Sequence, residues 1–316
     1  MPHLMPSPEL PSLLSAEEQQ ATEQALLQNL GEDLPMVPET ARQTFLRQHE
    51  PLRTALLLRT LEVLGGSLER RFDLAAVLEY LSCATGLHHR VRSMSTVRRQ
   101  GLKLDLQGTE TSVLLGDYLL SVSFHTLTQW GQLDLLDTVS AATQQISRGQ
   151  VLELSESWLD ASVELWEEVV RCKFAALFGA AARMAAISAA RPQSEWEAWT
   201  TFGERLGLAV RVRRELRLCR DPERLRSRIQ RQDLLLPVLW LARRDPEVRA
   251  RLEAAAEAQG EVDTEALAKG FEDAALDAAL RERRERYWSQ GLSALPAAYL
   301  NAPQWRGLHQ NLQEES

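Results

Sequence analysis

Apolar residues recur at helical spacing along nearly the whole chain, and runs alternating with period two are almost absent. Ser15 with Glu18 forms a capping-box pattern that opens a first helix, and a loop follows around residues 31–38. Pro51 suits the first turn of a second helix, with Leu57, Leu58, Leu61 and Leu64 toward the core and Gly65-Gly66 as its stop. Asp73 reads as the cap of a third, whose Leu74, Val77, Leu78, Leu81 and Thr85 share a stripe. That helix runs into a cationic turn, LHHRVRSMSTVRR at 87–99.

The segment VLLGDYLLSVSFHTL at 113–127 is apolar nearly all round, which predicts a central helix packed on every side. Further helices are predicted over 137–154 and over 157–187, the latter rich in alanine. A Ser194/Glu197 capping box precedes one carrying Phe202, Leu206 and Val210, and more helix follows Pro237. The expected architecture is all-α, an antiparallel helix bundle around one fully buried central helix. A proline-rich tail and variable helix are expected over 1–44, one helical domain over 45–300, and a tail over 301–316.

The 316 residues are 44% hydrophobic and 25% charged, enough to bury a large core. A net charge of −8 argues against a nucleic-acid binder, so any basic cluster needs a local explanation. RERRERYW at 281–288 alternates charge and reads as a solvated face. Cys83, Cys172 and Cys219 are widely spaced in apolar stretches, pointing to neither a disulfide framework nor zinc; a reducing cytoplasm is expected. No apolar run approaches the roughly 20 residues of a membrane span, and the start of the chain lacks a basic leader. Adjacent His88 and His89 point different ways on a helix and have no third ligand at helical spacing, so no metal site is expected from them. Asp117 is expected to pair with a backbone group or an arginine.

Several phrases, in order, carry a resemblance: LGG (64–66), VLEYLSCATGLHH (77–89), VRR (97–99), LLGDYLLSVSF (114–124), ISRGQVLEL (146–154), KFAALF (173–178), FGERLGLAV (202–210) and LLP (235–237). Together they resemble the trans-isoprenyl diphosphate synthases, the polyprenyl synthetase family, over roughly residues 45–245. The resemblance implies a helical bundle with a deep cavity, commonly dimeric, that joins an allylic diphosphate to isopentenyl diphosphate. It further implies two D-D-x-x-D motifs whose carboxylates hold magnesium against the departing diphosphate.

On the same alignment the first motif falls on His89, Arg90 and Ser93, and the second on Arg214, Glu215 and Leu218. Five of the six expected carboxylates are other residues, two of them arginine. Magnesium is therefore expected not to bind, since like charges in a partly desolvated cavity repel. Of the isopentenyl-diphosphate segment only Arg53 remains; a third-helix histidine is Ser82, a lysine–threonine pair is Lys173-Phe174, a glutamine is Arg211, and Gln150 is kept. Diphosphate-binding candidates are Arg53, Arg98, Arg99, Lys173, Arg90 and Arg211. Small Ala84 and Thr85 imply a cavity floor open to a long isoprenoid tail.

Three readings stay open. The chain is a pseudoenzyme, a non-catalytic or regulatory subunit that dimerises with itself or with an active prenyl diphosphate synthase. Alternatively, Arg90, Arg92, Arg98, Arg99, Arg211 and Arg214 ring a cavity that binds a prenyl diphosphate or another phosphate ligand without metal. In a third, it is an atypical active prenyltransferase whose arginines stabilise the leaving group. Beside these stands a scaffold whose arginines only meet solvent or glutamates.

Overall fold

The computed structural model describes residues 13–28, 30, 51–67, 69–99, 106–257 and 274–314, and these contain helices and no strand. The first helix, α1 (Ala16–Gln28), starts at the predicted box: Ser15 N–H donates to Glu18 Oε2 at 2.8 Å and Glu18 N–H to Ser15 Oγ at 3.1 Å. Helix α2 (Leu52–Leu64) stops where expected, because Gly65 takes φ 62°, open to a residue without Cβ, and the Gly66 N–H closes back on the Leu61 carbonyl. Helix α3 (Arg71–Arg99) places Asp73 in its first turn and not at its cap.

Helix α4 (Leu106–Gln129) corrects the expectation of a fully buried centre. Leu115, Leu119 and Leu127 are buried, but Leu114 is 68% exposed and Asp117 lies on the same outward side. The buried centre is instead α7 (Ala176–Ser188), whose residues are inaccessible over almost their whole length. It is reached from α5 (Leu133–Leu152) through α6 (Val163–Val170), capped by Ser162, and a π-helical turn over Arg171–Ala175. Alanine suits this place because small side chains let α8 (Gln193–Cys219) approach closely; a Cβ on Gly203 would stand 2.2 Å from the Phe178 carbonyl oxygen. The box predicted at Ser194 does not form, since Pro192 already turns the chain and α8 begins at Gln193.

After α8 come α9 (Pro222–Gln230), capped by Asp221, α10 (Leu236–Arg244), α11 (Pro246–Glu257), α12 (Ala274–Ala294) and α13 (Gln304–Gln313). Two expectations fail at this end. Residues 301–316 are not a tail: α13 buries Trp305, Leu308 and Leu312, and Trp305 packs on Phe202 with ring centroids 4.9 Å apart. The 281–288 stretch is not a solvated face either. Arg284, Tyr287 and Trp288 are buried, and Tyr287 Oη donates to Glu167 Oε2 at 2.7 Å. No helix among the described residues is long and apolar enough to cross a membrane.

Candidate functional site

The bundle holds a cavity of about 380 Å³ whose walls come from six α-helices and the π-helical turn. Helix α2 contributes Arg53; α3 contributes Ser82, Thr85 and Gly86; the end of α5 contributes Gln150 and, just beyond it, Glu153. The π turn contributes Lys173 and Phe174, α7 Leu177, α8 Arg211 and Arg214, and α9 Arg228, with Asp233 and Leu234 following. Five cationic side chains thus meet two carboxylates around one space.

Most of these cations are held by groups outside the element that carries them. Arg53, only 6% exposed, donates to Ser82 Oγ at 2.6 Å and lies 3.5 Å from Glu79 Oε2, whose other oxygen accepts from Thr54 at 2.9 Å. Lys173 Nζ donates to Glu153 Oε2 at 2.6 Å. Its π turn is fixed by Glu168, which takes hydrogen bonds from Arg171 and Arg148. Chiefly the Arg171 guanidinium, then Arg148, hold Glu168 at about 2 against burial. A carboxylate with its pKa lowered from 4.5 in this way stabilises the fold above pH 4.5, and that contribution is lost as pH falls toward 2.

Arg214 lies over the Phe174 ring, its guanidinium carbon 5.0 Å from the centroid. Arg228 Nε stands 2.8 Å from Asp233 Oδ2, an ion pair without hydrogen-bond alignment. Burial first, then the neighbouring Arg211 guanidinium, pull the Arg228 pKa down.

Glu215 behaves differently from the cavity residues. It is 2% exposed and accepts from three donors: Trp166 Nε1–H at 3.3 Å, the Leu236 backbone N–H at 2.8 Å, and Arg211 Nε–H at 2.5 Å. The carboxylate therefore joins α6, α8 and the start of α10. Magnesium needs a shell of oxygen ligands. The residues expected at the second motif are a cation at Arg214, an engaged carboxylate at Glu215 and a hydrocarbon at Leu218, and side chains of these kinds do not fit the ion. Among the described residues no group of three or more His, Cys, Asp or Glu side chains is arranged to hold a metal.

His89, Arg90, Ser93, Arg98 and Arg99 fall on the last turns of α3, with their side chains outside the described residues. The expected floor divides: Thr85 lines the cavity, whereas Ala84 packs with Leu26 and Leu119 against α1 and α4. His88 also turns away from the cavity, with Nε2 3.1 Å from Asp117 Oδ1, so Asp117 pairs with a histidine where an arginine or backbone group was expected. Cys219 is pushed up to about 12 by burial, and burial also raises Cys172, which favours the thiol over the thiolate at both positions.

Glu153, Arg228 and Asp233 were not singled out from the sequence. Glu153 lies inside the phrase ISRGQVLEL and Asp233 just ahead of LLP, while Arg228 belongs to the charge-dense run RLRSRIQRQD, which α9 folds against α8.

The sequence profile described as polyprenyl synthetase matches residues 35–271. Octaprenyl diphosphate synthase of Escherichia coli (strain K12) is 27% identical over 201 residues, 63% of this chain and 62% of that one. A geranylgeranyl diphosphate synthase of Sulfolobus acidocaldarius is 25% identical over 189 residues, 57% of each chain. The chain thus spans about three fifths of the length of these curated relatives. Among solved structures, a decaprenyl diphosphate synthase from Rhodobacter capsulatus matches with a TM-score of 0.73 and 25% identity over 94% of both chains. A polyprenyl synthase from Caulobacter crescentus CB15, complexed with calcium and isoprenyl diphosphate, shares the fold at a TM-score of 0.78, 23% identity, and 94% and 93% coverage. With its helical bundle, its cavity and a profile match over most of its length, this chain belongs to the polyprenyl synthetase family.

Proposed function

We propose that this chain is a non-catalytic member of its family in isoprenoid metabolism, whose cavity takes a prenyl diphosphate or a related phosphate ligand directly on guanidinium and ammonium groups. The observation that carries the reading is the cavity wall itself: Arg53, Lys173, Arg211, Arg214 and Arg228 surround one space beside Phe174, Leu177 and Leu234. Guanidinium binds phosphate oxygens in pairs without an intervening ion, and the apolar side chains suit a hydrocarbon tail. Both Asp-rich motifs are read as lost, and the magnesium they would hold is not used. Lys173 and Arg228 start from pairing with Glu153 and Asp233, so an incoming phosphate exchanges one anionic partner for another.

Calorimetric titration with farnesyl and geranylgeranyl diphosphate tests this, once in excess chelator and once in excess magnesium, with product analysis after adding isopentenyl diphosphate. The expected result is equal binding in both buffers, no elongation, and about tenfold or more weaker binding in Arg214→Glu. Magnesium-dependent elongation would overturn the reading and favour the atypical active enzyme.

A second reading has its own observation. Leu114 on α4 and Leu133, Val151 and Leu154 on and beside α5 are each about 70% exposed, an apolar display that a partner chain would cover. On this reading the protein is the silent half of a dimer with itself or with an active synthase. Leu114→Glu with Leu133→Glu is expected to convert a dimer to a monomer in light scattering; a wild-type chain that is already monomeric, and that leaves an active synthase's products unchanged, sinks it.

A further inference from the structure

A second cavity, of about 370 Å³, lies where the start of α3, the start of α5 and the end of α7 come together. Ser67, Glu69 and Arg70 reach it from the turn before α3, Trp130 and Gln132 from the turn between α4 and α5, and Ser188 from the last residue of α7. Leu74 and Leu135 add a buried apolar wall. Its volume lies in the lower part of the roughly 300–1,000 Å³ usual for small-molecule sites. It shares no lining residue with the cavity described above. Along α5 alone, Leu135 of this space and Gln150 of the other are separated by about 22 Å at the helical rise of ~1.5 Å per residue.

Charge is arranged differently in the two spaces. Here the wall carries one guanidinium, Arg70, and one carboxylate, Glu69, and neither is in an ion pair among the described residues. The Arg70 guanidinium carbon lies 5.2 Å from the centroid of the Trp130 ring, which steadies it without neutralising it. Asp73 feels Arg70 only at longer range: burial raises its carboxyl, and the guanidinium offsets this in part. Glu69 is engaged through its backbone N–H, donated to Ser67 Oγ at 3.4 Å, and its carboxylate is left over. The side chains of Gln132 and Ser188 make no hydrogen bond among the described residues. With one charge of each sign on the wall, a simple anion or cation is attracted by one group and repelled by the other. A ligand that bears a carboxylate and an ammonium side by side meets both with charge-assisted hydrogen bonds.

We infer that this cavity is a site for a free α-amino acid with an apolar side chain. The ligand carboxylate pairs with Arg70 on its indole support, and the ligand ammonium donates to Glu69. The hydroxyls of Ser67 and Ser188 and the amide of Gln132 take up the remaining polar atoms, and the side chain lies against Leu74 and Leu135. The site does not depend on what the first cavity binds.

The test is calorimetric titration of the full chain with L-phenylalanine and L-leucine, and with two phenylalanine analogues that each lack one charge, 3-phenylpropanoate and 2-phenylethylamine. One equivalent of amino acid is expected to bind, and each analogue about tenfold or more weaker, the loss of one charge-assisted hydrogen bond. Arg70→Ala should weaken phenylalanine by a similar factor and leave 2-phenylethylamine unchanged; Glu69→Gln should weaken phenylalanine and leave 3-phenylpropanoate unchanged. Both side chains are exposed, so these variants are expected to fold as wild type does. Arg214→Glu, in the first cavity, should leave the amino-acid equivalent in place. Three results overturn the inference: neither amino acid binding at concentrations up to about 10 mM, analogues that bind as tightly as phenylalanine, or wild-type affinity in Arg70→Ala and Glu69→Gln. Loss of amino-acid binding in Arg214→Glu overturns it too, by placing the ligand in the first cavity.

Discussion

Replacing Glu215 by alanine is expected to lower the unfolding free energy by about 3–5 kcal/mol, the range for breaking a buried charge pair by removing one partner. The change leaves the Leu236 N–H, the Trp166 indole N–H and the Arg211 guanidinium without their common acceptor, in a place 2% exposed. Each orphaned buried donor carries its own desolvation cost. Glu215→Gln should fall between wild type and alanine, since its amide oxygen can still accept from some of these donors while its charge is gone. The contrast with a metal role is direct. A carboxylate held open for magnesium is removed with little loss of fold stability, because a ligand waiting for its ion stabilises nothing without it. Urea unfolding gives the answer as a shift in midpoint at constant slope. Stability within about 0.5 kcal/mol of wild type, the ordinary range for surface substitutions, would show that Glu215 is not a structural anchor.

Arg213→Ala is expected to cost about 2–4 kcal/mol, the loss of charge-assisted hydrogen bonds with buried acceptors left unpaired, and to loosen the C-terminal helix first. Arg213 is 0% exposed and donates to both the backbone carbonyl and the side-chain oxygen of Asn311, while Arg217 donates to the Glu314 carbonyl at 3.1 Å. Two guanidiniums on one side of α8 thereby satisfy carbonyls at the end of α13 that have no partner within the helix. With Arg213 gone, a buried cavity and unpaired acceptors remain where α13 docks. Limited proteolysis should then cut near α13 before the rest of the chain. Wild-type stability, or cleavage that begins elsewhere, would show that Trp305, Leu308 and Leu312 hold α13 without the arginine.

These two residues sit about one turn or less from Arg211 and Arg214, and the four arginines and one glutamate read alike in VRVRRELR. Helical geometry separates them. Successive residues step about 100° around the axis, which turns Arg213 and Arg217 toward α13, Glu215 toward α6 and α10, and Arg211 and Arg214 toward the cavity. The arginine-rich turn is thus part core and part cavity wall, a distinction that depends on what packs on each side of α8.

Much of the helical plan was legible along the chain because its signals are local. The Ser15–Glu18 box and the glycine stop of α2 involve groups within a few residues of one another, and those interactions form as expected. The family resemblance, and not periodicity, singled out Arg53, Lys173, Arg211 and Arg214, and all four line the cavity. Where local signals misled, a distant element had intervened. The apolar α4 keeps an outward face because α7, with its smaller side chains, occupies the centre. The charged stretch at 281–288 is covered because α12 lies along α8, and α13 docks because aromatic rings of α8 receive Trp305.

By itself, then, the sequence determined an all-α fold and carried the resemblance that pointed to the family. Only the tertiary structure decided which charges share a space: that Glu215 is spent on the fold, and that Glu153 and Asp233 answer Lys173 and Arg228. The physical reason is one of range. Helix periodicity and capping act over a few residues, whereas the net charge of a cavity is a sum over side chains far apart in the chain, and only packing brings them to the same few hundred cubic ångströms.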